Sequence, residues 1–365
     1  MIIATTRQHR LRQHLPGATT VRAASSVEHQ AALAARLTSR DKWLLALLHE
    51  HRVLTSAQVR DAAFPSGRSA RQRLRELYLW RAVSRFQPFQ QLGSAPMHYV
   101  LGPAGAAVLA AEHGLEVKDL GYRHDRAMAI AHNQRLAHTV GIADFFTSLI
   151  ARARHQPADS IATSSEAVTA WWSETRCARH FGDLVIPDAY GRWRSRHGEI
   201  EFFLEFDTGT ESLTKVARKL AAYARLADST GIPTPVLIWL PSTRREAGAR
   251  TALSRIHAEL DHRETVPVAT ATADLLNPDT QHPSPADETW LPLTAGRTPR
   301  GSPRLSLGEL PTAWPRLAPP ALTSDPAGEA PDSDDDPANA TAYRLPAPRP
   351  IPPSASPNRL RRTDR

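Results

Sequence analysis

The chain has 365 residues, with 45 Lys and Arg against 37 Asp and Glu and a formal charge of +8. That length allows two modest domains with cores of their own. A single cysteine, Cys177, excludes an internal disulfide, and no apolar run is long enough to span a bilayer, so a soluble cytoplasmic protein is expected. The charge is uneven: residues 1–122 hold 16 basic and 8 acidic side chains, residues 123–282 hold 19 of each, and the remainder holds 10 of each. A basic module beside a neutral one suits a polyanionic partner, most simply nucleic acid.

Residues 1–37 carry five Arg and one Glu and lack a sustained apolar period. They are expected to form a mobile basic arm with a short helix near residues 27–37, either touching DNA or serving as an inert leader. From Arg40 to His51 a helical face carries Trp43, Leu44, Leu47 and Leu48. Thr55 and Gln58 form a capping box that opens a second helix through Phe64. After Pro65, Ser66 and Gly67 a third helix runs to about Trp80, with Ala70, Leu74 and Leu77 inward and Arg68, Arg71, Gln72 and Arg75 outward. Strands follow at residues 83–89 and 97–101, and Pro103 starts a helix that ends near Gly114. Three helices and a hairpin over residues 38–122 are the layout of a winged helix-turn-helix. Arg68, Arg71, Gln72 and Arg75, with Arg85 on the first wing strand, are then candidate contacts to duplex DNA. A protein-interaction module of the same fold, or a plain solvated face, is the alternative.

Residues 123–282 are expected to fold as a second domain. A long helix is predicted over 126–154, bending at Gly141, with Leu136, Val140, Ala143, Phe146 and Ile150 inward. His132 and His138 on it are most simply structural. Glu166 and Glu174, flanking Trp171 and Trp172, are minor candidates for a further carboxylate. The segment 183–189 is expected as a strand paired with a second over 200–207, where alternation places Ile200, Leu204 and Phe206 on one face and Glu201, Phe203, Glu205 and Asp207 on the other. Asp188 then lies beside Glu205. A helix follows over 211–227, capped by Thr210, with Lys215, Lys219 and Tyr223 along one margin. Val236 to Leu240 reads as a buried strand parallel to the one before the helix. A helix over 247–260 and an edge strand over 266–270 complete the domain.

Carboxylates at adjoining strand ends suit a hard divalent cation that keeps waters for chemistry. Asp188, Glu205 and Asp207 are therefore candidate ligands of Mg²⁺ or Mn²⁺. Only four lysines occur in the chain, and Lys215 and Lys219 share this one helix. Either is a candidate phosphate-holding or water-orienting cation, and ordinary solvated lysines are the plain alternative. From Pro283 onwards the chain holds 18 of its 30 prolines, an acidic SDDDP run and a basic end, the composition of a disordered tail in which Trp290 and Trp314 dock locally.

The order Asp, Glu-x-Asp, then a helical Lys resembles the PD-(D/E)xK nuclease core, although Asp207 stands where that family has its lysine. Taken with the winged-helix start, the AHTVGIADFF helix, the IPDA segment and FFLEFDTGTES, the chain resembles the replication-relaxation family of actinobacterial plasmids and integrative elements over residues 39–240. The resemblance implies an α+β and α/β chain with a restriction-endonuclease-like mixed sheet, plasmid-origin DNA as partner and other replication or transfer proteins nearby. It implies catalytic roles for Asp188, Glu205, Asp207 and Lys219 in a metal-dependent nickase or relaxase. A non-catalytic initiator or transcriptional regulator with a degenerate core is the alternative.

Overall fold

The computed structural model describes residues 26–89, 93–155, 166–273, 282–293, 303–320 and 345–353. The expected arm lies outside these residues apart from helix α1 (Val27–Arg36), which Ser26 caps. Helix α2 (Ser39–His51) opens on a reciprocal Thr38–Asp41 capping box. The expected Thr55–Gln58 box opens α3 (Ser56–Ala63). Helix α4 (Gly67–Leu79) buries Ala70, Leu74 and Leu77 and leaves Arg68, Arg71, Gln72 and Arg75 exposed. Strands β2 (Val83–Phe86) and β3 (His98–Leu101) pair antiparallel, and β1 (Leu54–Thr55) joins the free edge of β3. Two residues are too few to show a period, so β1 is invisible in the sequence. Helix α5 (Pro103–Glu112) starts at its proline as expected.

The long helix predicted over 126–154 is interrupted, and not at Gly141. Helix α6 (His124–Ala129) and a 3-10 turn end at Asn133, whose side-chain oxygen accepts from Arg135 N at 2.8 Å. That local bond competes with the helical ladder, and α7 (Leu136–Arg154) starts afresh. Gly141 instead makes room for a ring: a Cβ there would lie 2.3 Å from Phe206 Cε1.

The remaining chain builds a six-stranded mixed sheet of order β4-β5-β6-β7-β8-β9. Strands β4 (Ala167–Ser173), β5 (Ala189–Ser195) and β6 (Gly198–Phe206) are antiparallel neighbours. Helix α9 (Leu213–Thr230) carries the chain from β6 to a parallel β7 (Val236–Leu240), and α10 (Thr243–Ala258) from there to a parallel β8 (Val268–Thr272). Between β4 and β5 lies α8 (Glu174–Phe181). The two sheet faces bury different side chains, as alternation requires. Ile200, Phe202, Leu204 and Phe206 pack towards α7, while Phe203 packs with Leu220, Tyr223 and Leu253 under α9 and α10.

Three expectations need correction. The strand predicted over 183–189 begins only at Ala189, because Gly182 to Asp188 is turn and irregular chain in which Pro187 has no N–H for a ladder. The strand predicted over 266–270 is not an edge, since β9 (Leu291–Pro292) pairs outside it. The tail is not wholly without structure: Trp290, Leu307 and Leu310 are fully buried, and residues 345–353 also pack on the fold. Much of its remainder, including the acidic run, lies outside the described residues.

A buried ion pair ties the N-terminal helices to the sheet. Glu50 at the end of α2 accepts from Arg176 Nε at 2.9 Å and Nη2 at 2.7 Å, and from Ser173 N and Oγ at 3.2 and 2.8 Å. Next to it, His51 stacks on Trp171 with centroids 3.6 Å apart. Among the described residues no helix is long and apolar enough to cross a membrane.

Candidate active site

The β5–β6 register pairs Ala189 with Leu204, so Asp188, one residue before β5, comes to lie beside Glu205 near the end of β6. The backbone completes the placement: Phe206 N donates to Asp188 Oδ2 at 2.8 Å. Asp188 and Glu205 are 8 % and 4 % exposed, so two carboxylates share a nearly dry site where strand ends meet two helices.

Each carboxylate has its own holders. His138, one turn into α7, approaches Asp188 Oδ2 through Nε2 at 3.1 Å. Lys219 on α9 reaches Glu205 Oε2, and Tyr223, one turn further, donates its hydroxyl to Glu205 Oε1 at 2.5 Å. The i, i+4 spacing that sets Lys219 and Tyr223 on one margin of α9 thus serves one acceptor. Lys215, one turn earlier, is exposed and pairs with Glu211, which makes it the solvated lysine of the two.

The charges explain the proton affinities. Burial and then the neighbouring Asp188 charge push the Glu205 carboxyl up to about 7, against the pull of Lys219 and Tyr223. Burial also works against an ionised Asp188, but the bond and charge of His138, the Lys219 charge and the Phe206 N–H together hold it below the ordinary carboxylate range. Lys219 is raised: burial opposes its charge, while Glu205 and Asp188 both favour it. Glu205 and Lys219 therefore move in the same direction although they are partners: burial and then Asp188 raise the acid, while Glu205 and then Asp188 raise the lysine. Tyr223 is pushed well up, by burial first and then by Glu205.

Asp207 does not join this pair. Arg245 on α10 takes both of its oxygens, with Nη2 to Oδ1 at 3.0 Å, and Gly209 N donates to Oδ1 at 2.8 Å. Arg245 Nη2 also reaches Glu211 O at 2.6 Å. Asp207 and Arg245 thereby fix the loop between β6 and α9. Among the described residues no group of three or more His, Cys, Asp or Glu side chains is arranged to hold a metal ion, so the three-carboxylate set Asp188, Glu205 and Asp207 is not assembled. The Asp188–Glu205 pair still suits Mg²⁺, which commonly takes one or two carboxylates and completes its shell with substrate phosphate and water.

The expected DNA contacts divide likewise. Arg68, Arg71, Gln72 and Arg75 are exposed together on α4. Arg85 is half-buried and lies over the Tyr78 ring at 4.0 Å, as part of the packing of the β2–β3 hairpin on α4. Glu166 pairs with Arg152, and Glu174 pairs with Arg135 on the wall of the crevice beside Asp188. His132 is exposed, and His138 is the residue that sequence reasoning undervalued. Its only available signal was its place on the helix expected to precede the first strand of the core. Arg245 carried no signal at all. A crevice beside Asp188 is lined also by Glu50 and His51 of α2, Thr139, Trp171 and Glu174.

Residues 45–237, more than half of the chain, match the family model described as replication-relaxation. The match includes α4, His138, Asp188, Glu205, Lys219 and Tyr223. No curated protein and no solved structure matches the chain.

Proposed function

Because the chain belongs to the replication-relaxation family, we propose that it acts in plasmid replication as a winged-helix protein that binds duplex DNA and nicks it in a Mg²⁺-dependent reaction. The observation that carries this reading is the buried Asp188–Glu205 pair at adjoining strand ends with Lys219 against it. Asp188 and Glu205 would hold the ion, which supplies a Lewis acid for the scissile phosphate and an acidified water. Lys219 releases one carboxylate oxygen and holds a phosphate oxygen. His138 and Tyr223 keep Asp188 and Glu205 in place. Tyr223 is no nucleophile in this scheme, since it is buried and its hydroxyl is committed to Glu205. The exposed Arg68, Arg71 and Arg75, with Gln72, grip the duplex through α4.

The test is incubation of purified protein with supercoiled origin-containing plasmid and Mg²⁺ or Mn²⁺. Nicked product is expected from the native chain, and none from Asp188→Asn or Glu205→Gln at undiminished DNA affinity. Absence of nicking over a range of metals and salts refutes the nuclease reading. One observation favours a second reading, a DNA-binding initiator or regulator without cleavage. Lys219 and Tyr223 already occupy both Glu205 oxygens. In that case Glu205→Gln leaves plasmid maintenance unchanged.

A further inference from the structure

Residues 345–353, LPAPRPIPP, are separated from the preceding described segment by residues 321–344 and return to the N-terminal helices. Proline fixes φ at positions 346, 348, 350, 352 and 353, and each residue before a proline is driven out of the helical region. Residues 345–349 therefore form an extended, polyproline-like rod by their own chemistry, with little chain entropy left to lose on docking, and the chain bends at residues 350 and 351. Such a rod makes no ladder with itself, and two of its carbonyls are taken by side chains far away in sequence. Trp43 Nε1 on α2 donates to Arg349 O at 2.7 Å, and Arg176 Nη2 on α8 donates to Leu345 O at 3.2 Å. In a polyproline helix these carbonyls lie about 12 Å apart, at about 3.1 Å per residue. Leu345 and Pro350 are buried against the fold while Pro346 and Arg349 face out.

An aromatic residue whose indole N–H meets a carbonyl of a proline-rich rod is the chemistry by which proline-rich peptides are recognised. We propose that the surface between α2 and α8 is a proline-rich peptide groove, occupied by the chain's own residues 345–353 as a releasable strap. Its position gives the strap a task. Arg176, which holds Leu345, also holds Glu50, the buried acid that fastens α2 to the sheet. A docked strap therefore braces the joint between the N-terminal helices and the sheet that carries Asp188 and Glu205, and this holds whether or not the pair cuts DNA.

The test uses the full chain with the strap displaced by Leu345→Asp and Pro350→Asp, and a fluorescein-labelled peptide of sequence LPAPRPIPP read by anisotropy. The peptide should bind the displaced chain at least tenfold more tightly than the native chain, where the tethered copy competes at high effective concentration. Adding Trp43→Phe should weaken that binding about fivefold, the scale of one hydrogen bond. Far-UV circular dichroism matching that of the native chain shows that the displaced chain is folded. Equal peptide binding to both chains, or none to a displaced chain that is folded, overturns the proposal.

Discussion

Replacing Glu205 by Gln separates its charge from its shape. In the folded chain burial and Asp188 raise the carboxyl to about 7 from an ordinary value of 4.5. Between those two pH values the folded protein holds a proton there that the unfolded chain has released, so stability falls as pH rises. The stabilising contribution is fully present below about pH 4.5 and lost by about pH 7. At 1.36 kcal/mol per pH unit the loss is about 3 kcal/mol. Glutamine cannot titrate, so the difference in unfolding free energy between native chain and variant should change by about that amount from pH 5 to pH 8, against the native chain. The amide also presents an N–H where Lys219 and Tyr223 both donate, which adds a penalty that does not vary with pH. The slope of the difference is therefore the signal, and titrations of groups that do not interact with Glu205 cancel in it. Urea unfolding followed by tryptophan fluorescence at several pH values measures it. A difference constant to within about 0.5 kcal/mol would refute the account of a buried, like-charged pair.

Glu50→Ala leaves Arg176 buried without its counter-charge and should cost about 3–5 kcal/mol in urea unfolding, with much of that recovered by pairing Glu50→Leu with Arg176→Met. Asp207→Asn should lower the melting temperature through its lost charge on Arg245, yet leave calorimetric Mn²⁺ affinity within about twofold of native, because Asp207 belongs to the loop clamp. Replacing Arg71 and Arg75 by Ala should reduce the slope of log affinity against log salt for duplex DNA by about one to two, and an unchanged slope in filter binding would move the interface away from α4.

Local chemistry made much of the chain legible. The Thr55–Gln58 capping box, the buried face of α4, the alternation of β6 and the parallel β6–α9–β7 crossover all follow from spacings of a few residues, where helix and strand periods act directly. The Asp188–Glu205 neighbourhood was expected, but by way of the wrong strand: residues 190–195, read as part of the connection, form β5, and the short hairpin after them sets the register that places Asp188 beside Glu205. Boundaries were less so: Pro187 delays β5 to Ala189, and Asn133 ends a helix that the apolar period alone would have carried through.

What only the tertiary structure decided are the partners of charge and hydrogen bond across long sequence separations. Asp207 and Glu205 point to the same face of one strand, yet Arg245, 38 residues on, claims the first while Lys219 and Tyr223 hold the second. His138 meets Asp188 across 50 residues, Arg176 meets Glu50 across 126, and Trp43 meets Arg349 across 306. Apolar periodicity says which face of an element is buried but not which element covers it. A buried carboxylate must find some donor, and that donor is whichever side chain packing brings within about 3 Å.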